Sequence, residues 1–133
     1  MKVMTISLMV LRAAVLLALI LGIIFWANPA IPDEYSAIKD IHMLLGIIVV
    51  LALWTVSLAQ GLVKGGNFAL ALIGFIVGLA VVIVGLSQEA WKANAGTGAV
   101  ELINTLHLLL GLLAAGTGEM IASRVKRLAK VAV

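Results

Sequence analysis

Histidine occurs only twice in this chain, and both copies sit in almost the same eight-residue setting. Ile41-His42-Met43-Leu44-Leu45-Gly46-Ile47-Ile48 is answered by Leu106-His107-Leu108-Leu109-Leu110-Gly111-Leu112-Leu113. Each octet lies near the start of a long apolar stretch, so the two imidazoles fall at matching depth in membrane-spanning segments. An intramembrane histidine is costly and tends to be functional, although interhelical hydrogen bonding is a known use. A bare zinc or copper ion needs further ligands, and no third inward ligand is visible here. Two opposed imidazoles do complete the axial positions of a b-type haem iron, a low-spin arrangement suited to electron transfer. His42 and His107 are therefore expected to be the metal ligands of one bis-histidine haem b.

The neighbours of each histidine fit that expectation. Gly46 and Gly111 follow their histidines by four residues, on the same helical face one turn deeper. Their missing side chains would clear a porphyrin plane or, alternatively, allow close helix packing. Gly22 and Gly85 fall where the first and third apolar stretches would flank the ring edges. Lys39 and Asn104 each stand three residues before a histidine, placed to meet the two propionates. Trp26, Trp91, Asn28, Asn94 and Lys92 crowd the same level, the tryptophans as an interfacial aromatic belt. Gly74-x-x-x-Gly78 reads as a helix-packing motif. Glu119 lies about 18 Å along the helix from His107, too far to touch the haem. It reads as a snorkelling or ion-paired acid about a turn from Arg124, with proton entry for quinone chemistry as the alternative.

The elements that must hold these residues follow from composition. The 133 residues are 64% hydrophobic and 11% charged, with a mean hydropathy of +1.25, which excludes an ordinary soluble domain. Spanning a bilayer takes about 20 apolar residues, and four stretches qualify, at about 6–27, 41–62, 68–86 and 102–122. Only helices and closed barrels satisfy the backbone in lipid, and the period-2 alternation of a barrel is absent. The expected fold is a single all-α integral-membrane domain over residues 1–133, an up-down-up-down bundle of four transmembrane helices. The first stretch is too long for a signal-peptide core and precedes no small-x-small cleavage site, so it is expected to be retained. There is no cysteine, which excludes disulfides and iron–sulfur clusters.

The bundle reads as two repeated helical hairpins. Gly22 precedes Trp26-Ala27-Asn28 as Gly85 precedes Trp91-Lys92-Ala93-Asn94, and each hairpin then opens its second helix with His-x-x-x-Gly. The second and fourth helices are diagonal in such a bundle, about 12–14 Å apart if neighbours pack at 8–10 Å, which leaves room for a macrocycle. Charge gives the orientation. Lys2, Arg12, Lys64, Arg124, Lys126, Arg127 and Lys130 gather on one side, against the acid-rich loops Asn28–Asp40 and Ser87–Glu101 on the other. The positive-inside rule puts both termini in the cytoplasm of a multi-pass protein of the plasma or inner membrane, with the histidines in the outer leaflet. The basic C-terminal tail is a topology anchor or anionic-lipid contact; no nucleic-acid motif accompanies it. No catalytic triad or phosphate loop is present.

With two histidines on the second and fourth helices, the chain resembles half of a haem A synthase. Those enzymes are tandem four-helix bundles with a histidine on the second and fourth helix of each half and haem b in the outer half of the membrane. The resemblance implies haem ligation by His42 and His107. The family's glutamate three residues before a ligand histidine is replaced by Lys39 and Asn104, and its arginine-rich segment and loop cysteines are missing. The chain also looks like the cytochrome b561 proteins, which usually hold two haems on four or more histidines. The expected function is a membrane b-type cytochrome that passes electrons, with a redox partner protein, a larger respiratory complex, a homo-oligomer or a quinone as partners. A haem-modifying enzyme of the haem A synthase kind and a haem-free accessory subunit are the alternatives.

Overall fold

The protein is described here by a computed structural model, which describes residues 2–28, 36–94 and 96–131. Four helices account for nearly all of them: α1 (Lys2–Ala27), α2 (Ser36–Leu62), α3 (Phe68–Ala93) and α4 (Thr97–Val131). All four are long and apolar enough to cross a membrane. The architecture is the all-α four-helix bundle that the hydropathy pattern demands, because an apolar medium leaves the backbone no partner but itself.

Every helix outruns its apolar stretch. Sequence hydropathy ends the third span near residue 86 and begins the fourth near 102, yet α3 continues to Ala93 and α4 starts at Thr97. Most of the expected Ser87–Glu101 loop is therefore helical. Hydropathy marks where lipid begins, whereas a helix stops only where its hydrogen-bond ladder is broken. Nothing between Ser87 and Ala93 breaks it, and Lys92 Nζ donates to Gln88 Oε1 (2.8 Å) one turn back. Asparagine ends both helices of matching position: Asn28 Nδ2 donates to the Ile24 carbonyl (3.3 Å) and Asn94 Nδ2 to that of Ala90 (2.8 Å). At the opposite end of the bundle Gly65 turns the chain with φ 76°, and Asn67 caps α3 by accepting from the Leu70 amide (3.1 Å). Asp33 and Glu34 of the other loop lie outside the described residues.

Each helix packs on its two neighbours, and α2 also touches α4 across the diagonal, whereas α1 and α3 barely meet. The cross-section is a rhombus with the two histidine helices on its short diagonal, not the open square expected from the sequence. Small residues permit this approach. Ala114 and Leu53 are fully buried, and a Cβ at Gly118 would stand 3.6 Å from Leu53 Cδ1.

The buried core occupies only the half of the bundle that holds the chain termini. Leu8, Leu11, Leu53, Val56 and Ile121 lie at its centre. In the half that holds the histidines no described side chain is fully buried: none beyond Ala14 in α1, before Val49 in α2, beyond Val84 in α3 or before Ala114 in α4.

The seam between α2 and α3 is aromatic and tight. Trp54 stacks on Phe75 (centroids 5.5 Å, 22°) and its Nε1 donates to the Phe75 carbonyl (3.3 Å). Gly74 and Gly78 make the seam possible, since added Cβ atoms would collide with the Ser57 hydroxyl and the Trp54 indole. A Gly78→Ala chain should therefore lose about 1–3 kcal/mol of stability through overpacking. Thermal unfolding of the detergent-solubilised chain followed by circular dichroism, with Gly98→Ala as an open-site control, checks it.

Candidate functional site

Helical periodicity turns His42 and His107 inward from α2 and α4, where the short diagonal brings them together. The ring centroids are 6.2 Å apart with planes inclined at 56°. Both rings are half-buried, and Nδ1 of each is fully buried with no hydrogen-bond partner. Phe25 of α1 meets His42 edge-on, centroids 5.5 Å apart at 71°. An unpaired polar atom in a dry place costs about 1–3 kcal/mol, and each imidazole carries one.

The hairpin repeat is visible in the packing of each imidazole. A Cβ at Gly22 would stand 3.4 Å from His42 Cε1, and a Cβ at Gly85 would stand 3.4 Å from His107 Cε1. Each histidine thus rests against the glycine of the preceding helix in its own hairpin. The sequence placed these glycines at the edges of the site; they lie directly against the imidazoles. Gly46 and Gly111 behave differently. No heavy atom beyond the helix's own backbone lies within 4 Å of a Cβ built on either. Close helix packing is not what these two glycines do.

The polar rim is occupied in part. Lys39 forms an ion pair with Glu89 of α3, so any further anion there shares its ammonium group. Asn104, one turn before His107, is half-buried. Trp26 and Trp91 are 40% and 41% exposed, the level appearance of an aromatic belt. Glu119 is ion-paired, as one sequence expectation had it, but with Arg12 of α1 rather than Arg124: Arg12 Nη2 donates to Oε2 (2.8 Å) and Nε to Oε1. Sequence reasoning gave no role to Gln60, which is fully buried in α2 with both amide atoms unpartnered. Only its polar character within an apolar run marked it.

The donor set limits the chemistry. Among the described residues no group of three or more His, Asp, Glu or Cys side chains converges, so a bare ion would lack ligands. Two imidazoles on opposite sides of one metal, each about 2.0–2.1 Å from it, have ring centroids roughly 6.3 Å apart. The observed separation fits that span, and the orphaned nitrogens and the open space at Gly46 and Gly111 fit a flat ligand with axial positions to fill. No protein family, curated protein or solved structure matches the chain.

The two kinds of glycine separate experimentally in the ligand-free chain. Gly46→Ala should raise its thermal midpoint slightly, by relieving the roughly 0.5–1 kcal/mol helical penalty of glycine. Gly22→Val should lower it, because the branched side chain displaces the His42 ring. Parallel melts in one detergent decide the matter.

Proposed function

We propose that the protein is a small membrane b-type cytochrome that holds one haem b between His42 and His107 and passes electrons. The observation that carries the reading is the convergence of two repeat-related imidazoles, each with an unpaired buried nitrogen, in the half of the bundle without a core. When bound, a haem held by two histidines would supply one-electron transfer.

The chain's own residues have distinct tasks in this reading. A ring nitrogen of His42 and one of His107 would hold the iron. Gly22 and Gly85 fix the pitch of the imidazoles by standing against Cε1 of each. Gly46 and Gly111 leave the space one turn deeper. Phe25 shields the His42 ring. Lys39 and Asn104 stand on the rim, where propionates would find a cation and an amide donor. Both termini face the cytoplasm in this reading, and the site lies in the outer leaflet of a plasma or inner membrane. Partners are a redox protein or a larger respiratory complex, with a quinone as an electron source of fitting polarity.

Purification in mild detergent and a reduced-minus-oxidised optical spectrum test the proposal. Sharp reduced α and Soret bands of protohaem are expected, and each of His42→Ala and His107→Ala should abolish the low-spin spectrum. Gly46→Leu and Gly111→Leu should lower haem content while leaving helicity intact. A colourless protein after expression with ample haem, or bands surviving either histidine change, would rule the proposal out. Extraction as haem O or A would instead favour the haem-modifying alternative.

A further inference from the structure

The repeat that sets each imidazole against a glycine breaks down one turn further out. Gly22 and Gly85 stand 63 residues apart, and the same step carries Phe25 onto Gln88. Phe25 meets the His42 ring edge-on, so that side of the site is apolar. The side next to His107 is not. Gly85, Gln88 and Lys92 follow one another at intervals of three and four, which aligns them on one face of α3. Gln88 and Lys92 are half-buried, whereas Glu89, Ala90, Trp91 and Ala93 around them are exposed. Along that face it is about 10 Å from the glycine that meets His107 to the lysine. Lys92 is near enough to His107 for their charges to interact. Asn104 stands one turn before His107 on α4 and is half-buried as well.

The hydrogen-bonding capacity left at this corner is mostly donor. Lys92 Nζ donates to Gln88 Oε1 (2.8 Å). An ammonium group can only donate, so this contact fixes the Gln88 amide with its NH2 turned to other partners. Positive charge is in surplus too. Glu89 is exposed and paired with Lys39 of α2, and its charge also reaches Lys92. Two ammonium groups thus stand against one carboxylate. Asp40 and Glu101, the other described acids at this end, are exposed and enter no ion pair. The corner lies beyond the apolar stretch that ends near residue 86, where water and headgroups solvate charge while the site is open. Donors and net positive charge two turns outward of a ligand imidazole match a carboxylate on the edge of whatever the imidazoles hold. Building on the cytochrome reading, we propose that Lys92 and Gln88, with Asn104 of α4, bind a carboxylate of the haem and so turn its acidic edge toward the outer end of α3. Phe25 keeps the α1 side apolar, and Lys39 remains the partner of Glu89.

Titrating the full ligand-free chain in detergent with iron protoporphyrin and with its dimethyl ester tests this, because the two differ only at the carboxylates. The ratio of the two affinities is compared between variants, so unequal partitioning of the porphyrins into detergent cancels. Lys92→Met should lower the preference for the free acid by about tenfold or more, chiefly through weaker binding of that acid. Gln88→Leu should lower it less, and Lys92→Arg should keep most of it. Glu89→Gln removes the competing carboxylate and should raise the preference. Uptake of the ester by each variant shows that the bundle is intact. A ratio unmoved by Lys92→Met, or lowered by Glu89→Gln, would overturn the carboxylate corner and leave the cytochrome reading standing. A chain that takes up neither porphyrin would overturn both.

Discussion

A polar ring nitrogen placed in an apolar interior must find a partner, and this requirement organises the molecule. Elsewhere in the bundle several polar side chains find partners, although buried Gln60 does not. Ser57 returns its hydroxyl to the Leu53 carbonyl (2.8 Å), Thr55 does the same to Leu51 (2.8 Å), and Trp54 reaches across to Phe75. His42 and His107 do not. Nδ1 of each stays unpaired, and no described side chain in the histidine half is fully buried. The terminal half, by contrast, is complete in itself. Its leucines and valines hold α2 against α4 and thereby set the spacing at which the imidazoles meet.

Repeat and departure from repeat divide the labour between the two seams. Each hairpin sets its histidine against its own glycine at the same 3.4 Å, so the two halves of the site are built alike. Below the site they diverge. The α2–α3 seam is closed by Ser57 against Gly74 and Trp54 over Gly78, and Gly118 admits Leu11 between α4 and α1. At this level only the latter seam carries charge, the α2–α3 ion pair of Lys39 and Glu89 lying beside the site. The aromatic pair seals its side of the bundle, and an exposed ion pair bridges the opposite side.

Much of this was legible in the sequence, for reasons that can be named. Hydropathy found four helices because lipid excludes other structures. Matching octets found His42 and His107 because an imidazole in an apolar run has few uses. What escaped was whatever depends on helix rotation and approach. Glu119 was read as a snorkelling or ion-paired acid with no partner fixed; its partner Arg12 is 107 residues away and only packing brings them together. Lys39 looked free until α3, longer than its apolar stretch, carried Glu89 beside it. The repeated asparagines were taken for rim residues, yet their amides close the ladders of α1 and α3. The open square gave way to a rhombus because alanine and glycine on α4 set a shorter distance than average helix spacing.

On the cytochrome reading, the position of the site along the bundle restricts what the protein can do with an electron. The hydrocarbon core is about 30 Å thick, and the histidines lie near one end of helices that span it. One haem in that position exchanges electrons readily with partners at its own face and has no second centre to relay them to the other. The Arg12–Glu119 ion pair lies in the other half, with Glu119 about 18 Å from His107 along α4. Transmembrane transfer would therefore need a second centre supplied from outside this chain, by a larger complex or a partner docked in the membrane. On that reading the bundle, with its core at one end and its site at the other, would work as one part of a longer electron path.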